Sequence, residues 1–214
     1  MQTPLTPTAE PPTSEPRVAA EPTDILRRLR ASTRAAHTSI ETVPALNRLL
    51  SHDLAAADYV ETLRRLHAFH AGIEPDLIGA LRGRSCAAPL LDGNRLGAIA
   101  ADITWFGATL LPPRRPVPAS YCSAAALGVL YVVEGSNLGG RVIGRHVAKS
   151  LGVGPGTGGS YYCGLAAEDA QRRWRVLKEA LHIEIEATGI GWEPLTAAAL
   201  ATFGALEAWM REEA

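Results

Sequence analysis

Two polar side chains near the start of the chain, His37 and Glu41, are spaced for metal chemistry. Residues four apart on a helix lie one turn from each other, so the Glu41 carboxylate can accept a hydrogen bond from one imidazole nitrogen. That hydrogen bond orients the other ring nitrogen toward a metal ion. Arg30 and Arg34 lie within two turns before His37 and offer cations to carboxylates carried by a ligand.

The histidine also belongs to one face of a predicted helix. Leu26, Leu29, Thr33, His37 and Ile40 follow one another in steps of three or four, which predicts that the imidazole points into the core. A histidine on an apolar face is more often an ordinary core residue than a ligand, and this alternative stays open. An inward imidazole with arginines at its rim would suit an iron porphyrin with carboxylate tails.

A second stretch, YVVEGSNLGG at residues 131–140, places Gly135, Gly139 and Gly140 inside a predicted helix. Each glycine costs a helix about 1 kcal/mol relative to alanine, so the three need a reason. Two roles are open: they allow another helix to approach closely, or they leave room for a flat rigid ligand against the backbone. A nucleophile elbow is excluded because Ser136 directly follows Gly135. Spacing does not decide between packing and ligand contact.

Helical periodicity extends through nearly all of the chain from Asp24 onward. Helices are predicted near residues 26–40, 54–81, 95–108, 119–151, 166–187 and 194–212, with a short one from Pro44 and with Pro75 expected to kink or break the 54–81 helix. We therefore predict an all-α, single-domain bundle over residues 24–214. Residues 1–23 are rich in Pro, Thr and Glu and are predicted to be a disordered tail.

The composition excludes several classes of function. The 214 residues carry a net charge of −1, without the basic excess that a nucleic-acid-binding surface requires. The longest apolar run, Ser123–Val133, is too short to span a membrane. Three widely spaced cysteines fit reduced thiols in a cytoplasm better than a disulfide framework. We expect a cytoplasmic protein that binds neither nucleic acid nor membrane.

The two motifs resemble those of the haem oxygenase family, particularly its bacterial, bacteriophytochrome-associated branch. The resemblance rests on Leu29–Glu41, with its Thr-x3-His-x3-Glu pattern, and on Tyr131–Ile143, with its Glu-Gly-Ser-x-Leu-Gly-Gly pattern. A weaker element, Asp102–Gly107, lies between them, and the similarity extends over about residues 24–190.

The resemblance implies that His37 is the proximal iron ligand and that Glu41 is its hydrogen-bond partner. Gly135, Gly139 and Gly140 would form the kinked distal helix over the haem. Ser136 stands where animal members have an aspartate that orders a water network. The family site would also include Thr33 and, as partners of the propionates, Arg30, Arg34 and either Arg175 or Lys178.

The resemblance also implies a reaction. Haem would be both cofactor and substrate, opened at a meso carbon to biliverdin, carbon monoxide and Fe2+. Dioxygen and external electrons would be consumed, the electrons coming from a ferredoxin or a flavoprotein, and a bacteriophytochrome could accept the bilin.

Three alternatives remain at this stage. His37/Glu41 and His70/Glu74 are both His-x3-Glu pairs that could hold a di-iron centre between two helices, although His70 and Glu74 are more simply surface or helix-stabilising groups. A haem carrier or sensor could keep the pocket without turnover. A helical interaction protein would use the glycines only for packing.

Overall fold

The computed structural model describes residues 22–83, 85–115, 122–188 and 192–212. Residues 1–21 of the predicted tail lie outside this range, so its disorder stays a prediction, while Pro22 and Thr23 belong to the first helix. Within the described ranges there are eight α-helices, one short 3-10 helix at Ala88–Leu90, and no β-strand. The prediction of an all-α fold is confirmed.

Apart from a short helix at Ser160–Cys163, which was not predicted, the helix bounds follow the predicted ones within a few residues. They are α1 Pro22–Glu41, α2 Pro44–Arg48, α3 Ala56–Leu81, α4 Asn94–Trp105, α5 Ser123–Leu151, α6 Ser160–Cys163, α7 Ala167–Thr188 and α8 Glu193–Arg211.

Proline and glycine account for several of the boundaries. Pro44 and Pro194 lie in the first turns of α2 and α8, where a missing N–H costs no helical hydrogen bond. Gly152 ends α5 in the left-handed conformation, with φ of 69°. Pro75 was expected to kink or break α3; it does not break the helix, which is continuous from Ala56 to Leu81 with buried side chains on both sides of the proline, and a kink stays a prediction.

The helices form two hydrophobic clusters that share α3 and α5. The larger one combines α1, α3, α5, α7 and α8, and the smaller one combines α3, α4, the end of α5 and α6. Both α1 and α5 pack along α7 and α8, whereas α1 and α5 have no extensive contact with each other. The two helices that carry the sequence motifs are therefore neighbours that are connected mainly through α7 and α8.

Three contacts give the direction of these helices. Arg28 near the start of α1 lies over the Trp192 ring before α8, and Ser39 near the end of α1 donates a hydrogen bond to Glu207 near the end of α8. Gly128 of α5 lies so close to the first turn of α8 that a Cβ there would be 2.2 Å from the Leu195 carbonyl oxygen. Only five residues of α5 precede Gly128, so its extensive packing on α8 must come mainly from the residues after this point, and all three helices therefore run in the same direction.

In the described part of the chain, no helix combines the length and the apolar character that crossing a membrane requires.

Candidate functional site

The α1 and α5 helices meet at one polar contact. The Thr33 hydroxyl donates a hydrogen bond to the Leu29 carbonyl at 2.7 Å and lies 3.5 Å from the Tyr131 hydroxyl. His37 follows Thr33 by one turn, and Gly135 follows Tyr131 by one turn. Because the helices run in the same direction, both motif residues lie on the same side of this contact. Thr33 itself is buried and acts between the helices.

His37 is not a core residue, and the prediction that its ring points into the core is wrong. Its side chain is 59% exposed, and the ring stands edge-on to Phe203 of α8 with 5.8 Å between ring centroids. Phe203 fills the core position beneath it, so the imidazole lies at the margin. The Glu41 carboxylate lies 3.4 Å from Nδ1, the expected helical pairing, which leaves Nε2 for a ligand.

The glycines of α5 divide into two groups. A Cβ added at Gly139 would meet no atom within 4 Å, and one at Gly135 would meet only the Trp174 ring, at 4.0 Å. These two glycines are one turn apart and form a bare face. Gly140 is different, because a Cβ there would be 3.4 Å from the Tyr162 ring. Its observed role is packing against α6, and this contact does not support its predicted role in binding a ligand.

Other glycines of α5 carry the packing role more strongly. A Cβ at Gly144 would lie 2.4 Å from the Tyr162 carbonyl oxygen, so α6 rests directly on the α5 backbone. The position of α6 is fixed from the other side by Asp102, which is almost fully buried in α4. Its carboxylate accepts hydrogen bonds from the backbone N–H groups of Ser160 and Tyr161 at 2.7 and 2.8 Å. The Asp102–Gly107 element thus has a structural role in this chain.

A buried ion cluster holds α5 directly before Gly135. The Glu134 side chain is 1% exposed and accepts hydrogen bonds from Arg95 of α4 at 2.7 Å and from two nitrogens of Arg173 of α7 at 2.9 Å. Arg173 also contacts Asp92 at 2.9 Å. Burial alone would lower the pKa of Arg173, but Glu134 and Asp92 outweigh it and raise that pKa.

Sequence reasoning did not identify this cluster. Each arginine is 39 residues from Glu134 along the chain, so no local spacing connects them. The one available signal was a glutamate in the middle of an apolar helical segment, because a buried carboxylate requires charged partners.

The cations expected for propionates lie on the two helices that flank the bare face. Arg30 and Arg34 on α1 and Arg175 on α7 are exposed, and Lys178 on α7 is half-buried. None of the four has a hydrogen bond or ion pair to another described residue. Because α1 packs against α7, the four can serve one ligand with two carboxylates.

Ser136 is exposed and donates a hydrogen bond to the Val133 carbonyl at 2.7 Å, within its own helix. Its side chain also faces the hydroxyl of Tyr161.

The di-iron alternative finds no support. No group of three or more His, Cys, Asp and Glu side chains lies close enough to hold a metal ion within the described ranges. His70, expected at the surface, is buried in α3, and burial, reinforced by Arg95 and His67, holds its pKa well below the usual value.

Two surface clefts lie elsewhere, beside α2. The larger, of about 760 Å³, is bordered by α2, α3 and the end of α8. Its charged residues already pair with each other, Arg48 with Asp58 and Arg65 with Glu61, both at 2.9 Å. Neither cleft contains a residue of the two sequence motifs.

Comparison with known proteins agrees with the resemblance of the motifs. The family model described as "Heme oxygenase" matches residues 23–212. A haem oxygenase of Xanthomonas campestris pv. campestris is 35% identical over 138 residues, which cover 61% of this chain and 76% of that protein.

Two solved structures share the fold. The haem oxygenase of Leptospira interrogans superposes with a TM-score of 0.69 at 16% identity, covering 87% of this chain and 98% of that one. The haem oxygenase of Neisseria meningitidis, solved with NO and CO bound, superposes with a TM-score of 0.63 at 21% identity, covering 86% and 87% of the two chains. With a family model spanning nearly its whole helical region, this chain belongs to the haem oxygenase family.

Proposed function

We propose that this haem oxygenase binds its substrate in a haem slot, bounded by His37 of α1 on one side and by Gly135 and Gly139 of α5 on the other. The observation that carries the proposal is the pairing of an exposed imidazole, oriented by Glu41, with a bare glycine face on the neighbouring helix. His37 Nε2 is the iron ligand in this arrangement.

The residues present fit haem in shape and in charge. A flat macrocycle can lie against α5 only where no Cβ projects, and Gly139 meets this condition fully. Phe203 beside His37 and Trp174 beside Gly135 supply apolar surface for the ring. The unpaired cations on α1 and α7 suit the two propionates, because an arginine can bind a carboxylate with two parallel hydrogen bonds.

Each side chain has a defined part in the reaction. When bound, haem supplies both the iron that activates dioxygen and the ring that is oxidised, and the products are biliverdin, carbon monoxide and Fe2+. The Glu41 carboxylate accepts a hydrogen bond from the Nδ1–H group of His37, which fixes the tautomer and raises the basicity of Nε2. Arg30, Arg34 and either Arg175 or Lys178 hold the propionates, and Ser136 contributes a hydroxyl on the glycine side.

The reaction consumes electrons that the chain cannot supply, so an external ferredoxin or flavoprotein is part of the proposal. The setting we propose is the cytoplasm, which agrees with the three free thiols, two of them exposed. A bacteriophytochrome as acceptor of the bilin is supported by the resemblance of the motifs to that branch.

Haem titration of matched histidine variants tests the proposal. The wild type should bind one haemin per chain with an intense Soret band, and His37→Ala should bind it at least about tenfold more weakly, with added imidazole restoring the spectrum. His52→Ala is the control, because His52 is 95% exposed and lies outside the haem slot. Equal affinity and equal spectra for all three proteins would contradict the proposed ligand.

Turnover separates an oxygenase from a haem carrier or sensor. Reduced ferredoxin or ascorbate, added to the complex in air, should replace the Soret band by bilin absorbance. A persistent Soret band without bilin would support the carrier.

A further inference from the structure

The α5 helix presents a second face beside the bare one, formed by Ser136 and Gly140 one turn apart. Two consecutive tyrosines of α6 lie against this face. Tyr162 packs its ring on Gly140, and Tyr161 directs its hydroxyl toward Ser136. The two tyrosine rings are 4.6 Å apart, and the Asp102 carboxylate anchors the Tyr161 backbone N–H at 2.8 Å.

Few side chains of α5 can donate a hydrogen bond on the glycine side of the haem slot. Ser136 has one O–H donor, and the Val133 carbonyl accepts it at 2.7 Å. Gly135 and Gly139 bring no side chain. Tyr161 therefore carries a hydroxyl donor next to the bare face that the helix itself does not use. Burial raises the pKa of Tyr161 although Arg95 and Ser136 oppose it, so the phenol keeps its proton at neutral pH.

Further buried polar groups lie around the tyrosine. The His70 ring lies 6.5 Å from the Tyr161 ring, and it is neutral because burial lowers its pKa well below the usual value. The Arg95 Nε–H is buried without a partner. Such groups are costly to bury, which suggests that they serve the site they surround.

We infer that Tyr161 is a positioning residue of the haem slot, whose hydroxyl beside Ser136 supplies the hydrogen-bond donor on the glycine side and orders solvent there for proton delivery. This inference rests on the proposed function. Tyr161 acts on solvent and on Ser136. The α6 helix holds it in place, because α6 is anchored on Asp102 and packs on Gly140 and Gly144 of α5.

The test is a pH titration of the visible spectrum of the ferric haem complex. A hydroxyl donor on the glycine side stabilises the alkaline, more negatively charged form of the complex. Tyr161→Phe should raise the pH midpoint of the spectral transition by about one unit, which corresponds to one lost hydrogen bond. Tyr162→Phe is the matched control, because it removes the hydroxyl of the neighbouring tyrosine, whose ring packs on Gly140 and lies near the Tyr59 ring, and its midpoint should stay within about 0.3 unit of the wild type.

Apart from Tyr162, which the control alters, the charged and titratable groups that face Tyr161 are retained in both variants and contribute equally to the two midpoints. They come from the elements packed around it and comprise Tyr59, His70, Arg95, Asp102 and Glu134.

A double-mutant cycle tests the link to Ser136. If Tyr161 and Ser136 act on the same solvent, Ser136→Ala added to Tyr161→Phe should shift the midpoint no further than Tyr161→Phe alone. Tyr161→Phe should also slow bilin formation at least about tenfold, as loss of a proton-delivery group does, while Tyr162→Phe should not.

The outcomes separate this inference from the proposed function. Absence of a Soret band in the wild type would refute the proposed function. Haem binding with equal midpoints for the two phenylalanine variants, or additive shifts with Ser136→Ala, would refute the inference alone. Loss of haem binding in Tyr161→Phe would also refute it, because the residue would then be structural.

Discussion

Gly139 offers the sharpest test of the haem slot. A larger side chain at this position should raise the stability of the apo-protein but lower its affinity for haem. Nothing lies within 4 Å of a Cβ at this position. Gly139→Leu should therefore stabilise the apo-protein by about 0.7 kcal/mol, which is the difference in helix propensity between glycine and leucine. A protein that used this glycine only for packing would lose stability instead.

The effect on haem follows from the space that a side chain needs. Carbon atoms of a ring in contact with the backbone lie about 3.5–4 Å from it, and a leucine side chain requires that same layer. The ring would have to move away by on the order of 3 Å, which the bond to His37 does not allow. We expect haem affinity to fall at least about tenfold, and Gly139→Ala to have a smaller effect in the same direction.

Two measurements check this prediction on the same samples. Urea denaturation of the apo-protein gives the free energy of unfolding, and haemin titration gives the dissociation constant. Gly144→Ala is the control, because its Cβ would lie 2.4 Å from the Tyr162 carbonyl oxygen and should destabilise the fold by about 1–3 kcal/mol. Wild-type haem affinity in Gly139→Leu would refute the placement of the haem against this face.

Two further predictions concern the buried groups around the slot. Glu134→Gln should lower the free energy of unfolding by about 3 kcal/mol, because it leaves two nearly buried arginines without their shared counter-ion, whereas Asp169→Asn in an exposed pair should cost less than about 0.5 kcal/mol. His70 has a folded-state pKa below its unfolded value of about 6.5, so the unfolded chain takes up the proton and stability falls as the pH decreases from 6.5. Between pH 7.5 and 5.5, the free energy of unfolding of His70→Gln should fall less than that of the wild type. The difference between the two should be at most about 1.4 kcal/mol per pH unit. The variant His52→Gln, at an exposed position, should lose as much stability as the wild type.

Denaturant unfolding measures both effects. Equal costs for Glu134→Gln and Asp169→Asn would mean that the ion cluster adds nothing to stability. A His70→Gln variant with the wild-type pH dependence would mean that folding does not lower the pKa of His70.

The helices were predictable because each has a continuous apolar stripe of helical period. The pairing of His37 with Glu41 was predictable for the same reason, since it depends only on spacing along one helix. The exposure of His37 was not, because it depends on Phe203, a residue of a helix 166 positions later in the chain. Local periodicity says which residues share a face but not what covers that face.

The glycines illustrate the same limit within one motif. Gly139 and Gly140 are adjacent in sequence, yet one faces open space and the other faces Tyr162. Gly128, which has the closest approach to α8, lies outside the motif and was not singled out. Packing and ligand contact were posed as alternatives, but the helix has room for both, because Gly128, Gly140 and Gly144 pack against other elements while Gly135 and Gly139 leave an open face.

The separate attachment of α1 and α5 to α8 has a consequence for substrate exchange. The product of ring opening is no longer flat, so it needs a wider passage than the one that admitted the substrate. Since α1 and α5 are joined through a supporting helix, and the polar contact between their described residues is the long one of Thr33 and Tyr131, we expect that one helix can tilt on that support while the buried cluster stays intact. We therefore expect release of the bilin to need a tilt of these helices and no unfolding.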